Sequence, residues 1–263
     1  MIPRPYIAKW KDYAPWKQYA QVEQDLIISR ILIEIFSDTF LKENLAFRGG
    51  TALHKLYLNP AIRYSEDIDL VQIKPGPIKP IINRLGKIIT FFDEDRRTDI
   101  RIRSTRLLYR FISEYEQIRL RLKIEINTRE HFHILPLEHF SLEINNPWYS
   151  GKADIQTYSI NELLATKLRA LYQRKKGRDL FDLYYANQHA DLNFEEILMS
   201  FKSYMKFDNK KIPTKKQLIM NLEEKRYDKN FLGDMEGLLR DNLEYNPDNA
   251  FDWVKDVLIA DLD

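Results

Sequence analysis

Between residues 119 and 127 the chain reads RLRLKIEIN, an unbroken alternation. Leu120, Leu122, Ile124 and Ile126 fall on one side; Arg119, Arg121, Lys123, Glu125 and Asn127 fall on the other. Successive strand residues point to opposite faces, so the segment predicts a strand with one face in a core and one face open. Other extended segments have to join it in a sheet. Ile100 and Ile102 alternate with Arg101 and Arg103, and a short LAF run ends at Gly49-Gly50. Residues 67–73 read as a strand closed by Lys74-Pro75-Gly76-Pro77. HFHILPLEHFSLEI continues the extended pattern, with Pro136 marking an interruption or edge.

Helical spacing surrounds these strands. Leu26, Ile27, Ile31, Ile35 and Leu41 share a broad face, which predicts a helix from about Gln21 to Glu43. Shorter helices are expected over 51–58, stopped by Asn59-Pro60, and over 78–92. The opening segment carries Pro3, Pro5 and Pro15 and reads as irregular, tacked to the body by Trp10, Tyr13 and Trp16. From Ile160 the periodicity is helical almost to the end. Ser159-Ile160-Asn161-Glu162 has the form of a capping box, Gly177 is the expected end of that helix, and residues 179–187 open another. Lys210-Lys211-Ile212-Pro213 reads as a connection. The fold class is therefore α+β: a core lobe over 1–158 with a mixed sheet and flanking helices, then a helical lobe over 159–263 completing a cleft with it.

The 263 residues are 44% hydrophobic and 13% aromatic, which supports a sizeable core and argues against disorder. Lys and Arg number 41 against 39 acids, a net charge of +2, so a nucleic-acid surface would have to be a local patch. The absence of cysteine removes disulfides, thiolate zinc sites and cysteine nucleophiles. The most apolar run, LIISRILIEIF, is broken by Arg30 and Glu34, so no membrane association is expected and a cytoplasmic location is.

Asp67 and Asp69 are separated by one residue on a strand and project together, roughly 6.5–7 Å apart at Cα. Two carboxylates this close repel, and partial burial strengthens the repulsion. A shared divalent cation reverses the sign, and oxygen-only ligands favour Mg2+ or Mn2+. Glu125, on the polar face of its strand, is the candidate third carboxylate; its neighbour Lys123 shares that face. Gly49-Gly50, between a strand and a helix, would let backbone approach a phosphate, and Thr51 adds a hydroxyl. Arg48 and Arg63 are candidates for phosphate contacts or counter-ions, and Ser65 for a turn hydrogen bond or a substrate contact. Lys167 lies beside the stripe Leu163, Leu164, Leu168 and Leu171, placed to reach a phosphate or to pair with Asp179 or Asp182. Arg174, Lys175, Lys176 and Arg178 cluster at a turn and form a candidate RNA contact. His131 and His133 share a strand face without a third metal ligand in view.

GGTALHK, RYSEDIDL, KIEIN, ELLATKLRAL and RKKGRDLFDLYY, in that order, resemble the AbiEii/AbiGii-type, MenT-like nucleotidyltransferase toxins of the polymerase-β-type superfamily. The resemblance runs from about Gln21 to Asn187. It implies a bilobed fold and a metal-dependent transfer of a nucleoside monophosphate from an NTP. It also implies that Gly49, Gly50 and Thr51 contact the triphosphate, that Asp67 and Asp69 hold the metal, and that Lys167, Asp179 and Asp182 are functional. The acceptor it points to is a tRNA 3′ end, in the setting of a toxin with a cognate antitoxin and of abortive infection. The competing readings are transfer to a small molecule or protein, and a catalytically silent nucleotide- or partner-binding module.

Overall fold

The alternation of RLRLKIEIN is realised in a strand of a seven-stranded sheet. The computed structural model describes every residue except Met1, Asn59, Asp95, Asn209, Asp241, Asn242 and Asp263. The chain divides into two compact units, Met1–His133 with Leu137–Tyr158, and Ile134–Pro136 with Ser159–Asp263.

The first unit holds α1 (Arg4–Trp10), α2 (Tyr19–Ser37), α3 (Thr39–Asn44), β1 (Leu45–Arg48), α4 (Gly49–Ala52, continued by a π-type turn Leu53–Tyr57), β2 (Asp67–Gln72) and α5 (Lys79–Ile88). It continues with β3 (Arg97–Ile100), β4 (Ser104–Ile112), β5 (Arg119–Asn127), β6 (Glu138–Asn146) and β7 (Tyr149–Thr157). The strand order is β3-β4-β5-β2-β1-β7-β6. The β2–β5 and β1–β7 pairs are parallel and the others antiparallel, so the sheet is mixed. Ile68, Leu70, Leu107, Tyr109, Leu122, Ile124 and Ile126 are buried on one face. The residues that alternate with them on β4 and β5 remain partly or fully exposed. One apolar face and one polar face are what an antiparallel ladder permits.

The expected helix over 21–43 is two helices. Asp38 is extended and accepts a hydrogen bond from the Leu41 amide at 3.0 Å, capping α3 where hydrophobic period alone would run on. The irregular opening contains α1, entered through Pro3 and Pro5. Trp10 and Trp16 anchor it by donating indole hydrogen bonds to Asp25 at 2.9 and 3.3 Å, whereas Tyr13 stays 65% exposed. The helix expected over 78–92 ends at Ile88, and Ile102, 91% exposed, lies beyond β3. The stop assigned to Asn59-Pro60 falls in part on Asn59, outside the described residues.

The second unit holds α6 (Ile160–Gln173), α7 (Gly177–His189), α8 (Phe194–Phe207), α9 (Lys215–Arg226), α10 (Lys229–Leu232) and α11 (Pro247–Trp253). Only half of the expected capping box forms. The Ser159 hydroxyl accepts from the Glu162 amide at 3.3 Å, but the Glu162 carboxylate turns to the amides of Ile134 and Leu135, both at 2.9 Å, and to the Tyr204 hydroxyl at 2.7 Å. Gly177 does not end α6; it begins α7, and a Cβ there would lie 2.3 Å from the Phe231 carbonyl oxygen, which reserves the position for glycine. The α6 C-terminus is capped instead by buried Lys225, which donates to the carbonyls of Leu171 and Tyr172. Among the described residues no helix is long and apolar enough to cross a membrane.

Candidate active site

β1, α4 and β2 place the acid pair. Thr51, at the start of α4, donates its hydroxyl to the Asp67 carbonyl at 2.5 Å and shares a 2.8 Å hydrogen bond with Ser65. These bonds tie the start of β2 to the turn after β1, which assigns Thr51 and Ser65 a local structural task. Arg48 is the register partner of Asp69 across β1–β2, and its Nη1 is 2.5 Å from Glu130 Oε2. Gly49 has φ +83, a conformation that favours glycine. A Cβ at Gly49 would sit 2.4 Å from Asp69 Oδ2, so only a residue without a side chain lets that carboxylate lie against the turn. Lys55, the last residue of GGTALHK, lies 2.9 and 3.0 Å from the two Asp25 oxygens and 2.9 Å from Ser29 Oγ.

The parallel register sets Asp67 opposite Lys123 and Asp69 opposite Glu125, all on one face. Lys123 Nζ lies 3.0 Å from Asp67 Oδ2 and 3.0 Å from Glu125 Oε2. Burial raises the pKa of Asp67, and Lys123 offsets only part of the shift. Burial also raises Asp69, with the charge of Asp67 adding to it. Among the described residues no side chain donates a hydrogen bond to the Asp69 carboxylate. An under-coordinated carboxylate beside a second acid, held against a glycine turn, fits a divalent cation bound by Asp67 and Asp69.

Glu125, the expected third carboxylate, has partners on both of its oxygens. It stands opposite Asp69, but Oε1 takes Arg106 Nη2 at 2.9 Å and Ser104 Oγ at 2.9 Å, while Oε2 takes Lys123. Burial pushes the Glu125 pKa up, yet the bonds from Arg106 and Lys123 outweigh it and hold the group below the usual range. Glu125 is thus a satisfied counter-ion. Among the described residues no group of three or more His, Cys, Asp or Glu side chains is arranged to hold a metal. His131 spends Nδ1 on the Gln72 carbonyl at 2.6 Å.

In the helical unit, Lys167 Nζ lies 2.7 Å from Asp182 Oδ2 and 3.3 Å from Asp179 Oδ1. Both aspartates are fully buried and Lys167 nearly so. Arg174 completes the network with bonds of 2.7 and 2.9 Å to Asp179. Burial would raise the Asp179 pKa, but Lys167 and Arg174 hold it below its ordinary value. This network joins α6 to α7. Lys167→Ala would take the shared ammonium away from two buried carboxylates, leaving Arg174 on Asp179, and is expected to cost about 3–5 kcal/mol in a denaturant melt. A cost below about 0.5 kcal/mol would mark Lys167 as a surface charge.

Each cation of the basic turn, the candidate RNA contact, has an acidic partner. Arg174 holds Asp179, Lys175 pairs with Asp228 at 3.0 Å, Lys176 with Asp234 at 3.1 Å, and Arg178 lies 3.6 Å from Asp234. Sequence pattern alone does not single out Arg106 and Glu130, the partners of Glu125 and Arg48, although both matter to the site. Arg106 lies in the alternating run of β4, which is the available signal; Glu130 carries none.

A glycine-started helix set against a two-aspartate strand in a mixed sheet defines the chain as a nucleotidyltransferase. It belongs to the AbiEii family: the model described as "Nucleotidyl transferase AbiEii toxin, Type IV TA system" matches residues 30–257. The chain is similar to MenT4, a nucleotidyltransferase toxin from Mycobacterium tuberculosis H37Rv, at 18% identity over 100% of this chain and 91% of that one, with a TM-score of 0.73. It is similar to JHP933 from Helicobacter pylori at 19% identity over 93% of this chain and 92% of that one, with a TM-score of 0.55. At such identities the likeness is one of fold. No curated protein matches the sequence significantly.

Proposed function

We propose that the protein is a metal-dependent toxin that transfers a nucleoside monophosphate from an NTP to the 3′ end of an RNA, with tRNA as the acceptor. Translation stops because an extended acceptor end cannot be aminoacylated. The toxin acts in the cytoplasm, where the tRNA pool lies, under the control of a cognate antitoxin, and abortive infection is its setting. The observation that carries the proposal is the Asp69 carboxylate, without a hydrogen-bond donor among the described residues, beside Asp67 and packed against Gly49.

Mg2+ or Mn2+ held by Asp67 and Asp69 would supply charge neutralisation for the triphosphate and polarisation of the attacking hydroxyl. The backbone N–H groups at Gly49 and Gly50 donate to phosphate oxygens at close range. In the reaction, the RNA 3′-oxygen forms a bond to the α-phosphorus, the bond to pyrophosphate breaks, and the hydroxyl proton passes to solvent. The protein positions the two reactants and balances charge. Lys123, bridging Asp67 and Glu125, offsets part of the negative charge at the acid pair until the nucleotide arrives. Lys167, Asp179 and Asp182 are positioning residues that hold α6 and α7 in register.

The test supplies each labelled NTP with Mg2+, total RNA and purified protein, in parallel with Asp67→Ala. Label in small RNA with the wild type alone is the expected result. Label in protein or in a small molecule would replace the RNA acceptor, and nucleotide binding without label anywhere would leave a silent binding module.

A further inference from the structure

β4 and β5 carry a second charge pattern on the face that bears the aspartates. Arg110 of β4 stands directly opposite Arg121 of β5, and both are exposed. Arg121, Lys123 and Glu125 alternate along β5 on one face, and Lys123 and Glu125 are the register partners of Asp67 and Asp69. Arg106 and Arg110 join that face from β4, opposite Glu125 and Arg121. The arginine pair therefore lies one step along the strand from Lys123, roughly 6.5–7 Å, and on the same sheet face as the acid pair.

Most cations around it are compensated. Arg106 pairs with Glu125, Lys123 bridges Asp67 and Glu125, and Arg119 pairs with Glu94. Among the described residues neither Arg110 nor Arg121 has a carboxylate within ion-pair distance, and Arg121 acts on Asp67 only at longer range. Like charges directly opposite on neighbouring strands destabilise a sheet. An anion between the two guanidinium groups reverses that effect, and the planar forks of arginine suit a phosphate. The triphosphate belongs at Gly49 and the aspartates, beside β2, whereas Arg110 stands two strands away on β4.

We infer that Arg110 and Arg121 form a binding site for the phosphodiester backbone of the acceptor RNA, flanking the nucleotide site on the same sheet face. The inference rests on the RNA acceptor proposed above. It moves the RNA contact from the compensated turn at Arg174–Arg178 to the open face of the sheet.

The experiment measures binding of fluorescently labelled bulk tRNA to the full chain, wild type and Arg110→Ala/Arg121→Ala, over a range of salt. The double variant is expected to bind roughly tenfold more weakly at moderate salt. Its plot of log affinity against log salt should be shallower by about 0.7–0.9 for each phosphate that is no longer neutralised. A double Lys variant, which keeps both charges, should retain most of the slope. The melting temperature of the Ala variant should stay equal or rise, because a repulsion has been removed; a purely structural role would lower it. Unchanged tRNA affinity and slope would overturn the inference, as would a rise in the KM for NTP with tRNA binding intact, which assigns the pair to the triphosphate. If the wild type labels no RNA, the transfer proposal fails by itself, and the tRNA-binding comparison still decides the arginine pair.

Discussion

Asp69→Asn is expected to abolish nucleotidyl transfer and, in the metal-free protein, to raise stability. The transfer loss should reach at least about 10²–10³-fold, the scale for removing one charge-stabilising group from a reaction centre. The stability gain follows from the raised pKa, caused by burial and then by Asp67. A carboxyl whose folded pKa lies above its unfolded value near 3.9 contributes stability that is fully present below that value. The contribution is lost as pH rises through the folded pKa, so metal-free wild type should weaken with rising pH above the ordinary aspartate range. Asn removes both the repulsion and this slope, with an expected gain of about 0.5–2 kcal/mol at neutral pH. Thermal melts in chelator from pH 4 to 8, beside transfer assays, check both halves. An Asn variant that is less stable and still active would remove Asp69 from the reaction.

Gly49→Ala should have the next largest effect, through two separable mechanisms. The φ of +83 strains any residue with a Cβ, at about 1–3 kcal/mol. The new methyl would also lie 2.4 Å from Asp69 Oδ2 and 3.0 Å from Asp69 Cβ, so the acid has to move. A displacement of about 1 Å in a positioned group is enough for a ~10²-fold loss of rate. Gly237→Ala separates the causes: Gly237 has φ +71 but nothing within 4 Å of its would-be Cβ. It should show the backbone strain in a denaturant melt and leave transfer intact. Equal activity in both variants would mean that the close approach of Asp69 to Gly49 is not needed for transfer.

The parts of this arrangement that are legible in the sequence are those set by local pattern. The alternation of residues 119–127 matches β5, and Asp67 and Asp69 share a face because a strand has a period of two. The parts that are not legible depend on partners brought from elsewhere. Glu125 looks free along its own strand, yet Arg106 and Ser104 reach it from β4. The turn at Arg174–Arg178 looks like an open cationic patch until Asp228 and Asp234 fold back on it. Gly177 has the form of a stop signal, but its reason is the close passage of the Phe231 carbonyl at the start of α7. Asp38 breaks a continuous hydrophobic period because its side chain caps the next helix.

The most direct test of the acid pair as the reaction centre is a calorimetric titration of Mn2+ with a non-hydrolysable NTP analogue, in wild type and in the Asp67→Asn/Asp69→Asn double variant. Wild type should bind ion and analogue together, each tightening the other, and the double variant should lose that coupling while keeping its fold. Equal coupled binding in both proteins would contradict the assignment of Asp67 and Asp69 as the site where the nucleotide and its metal meet.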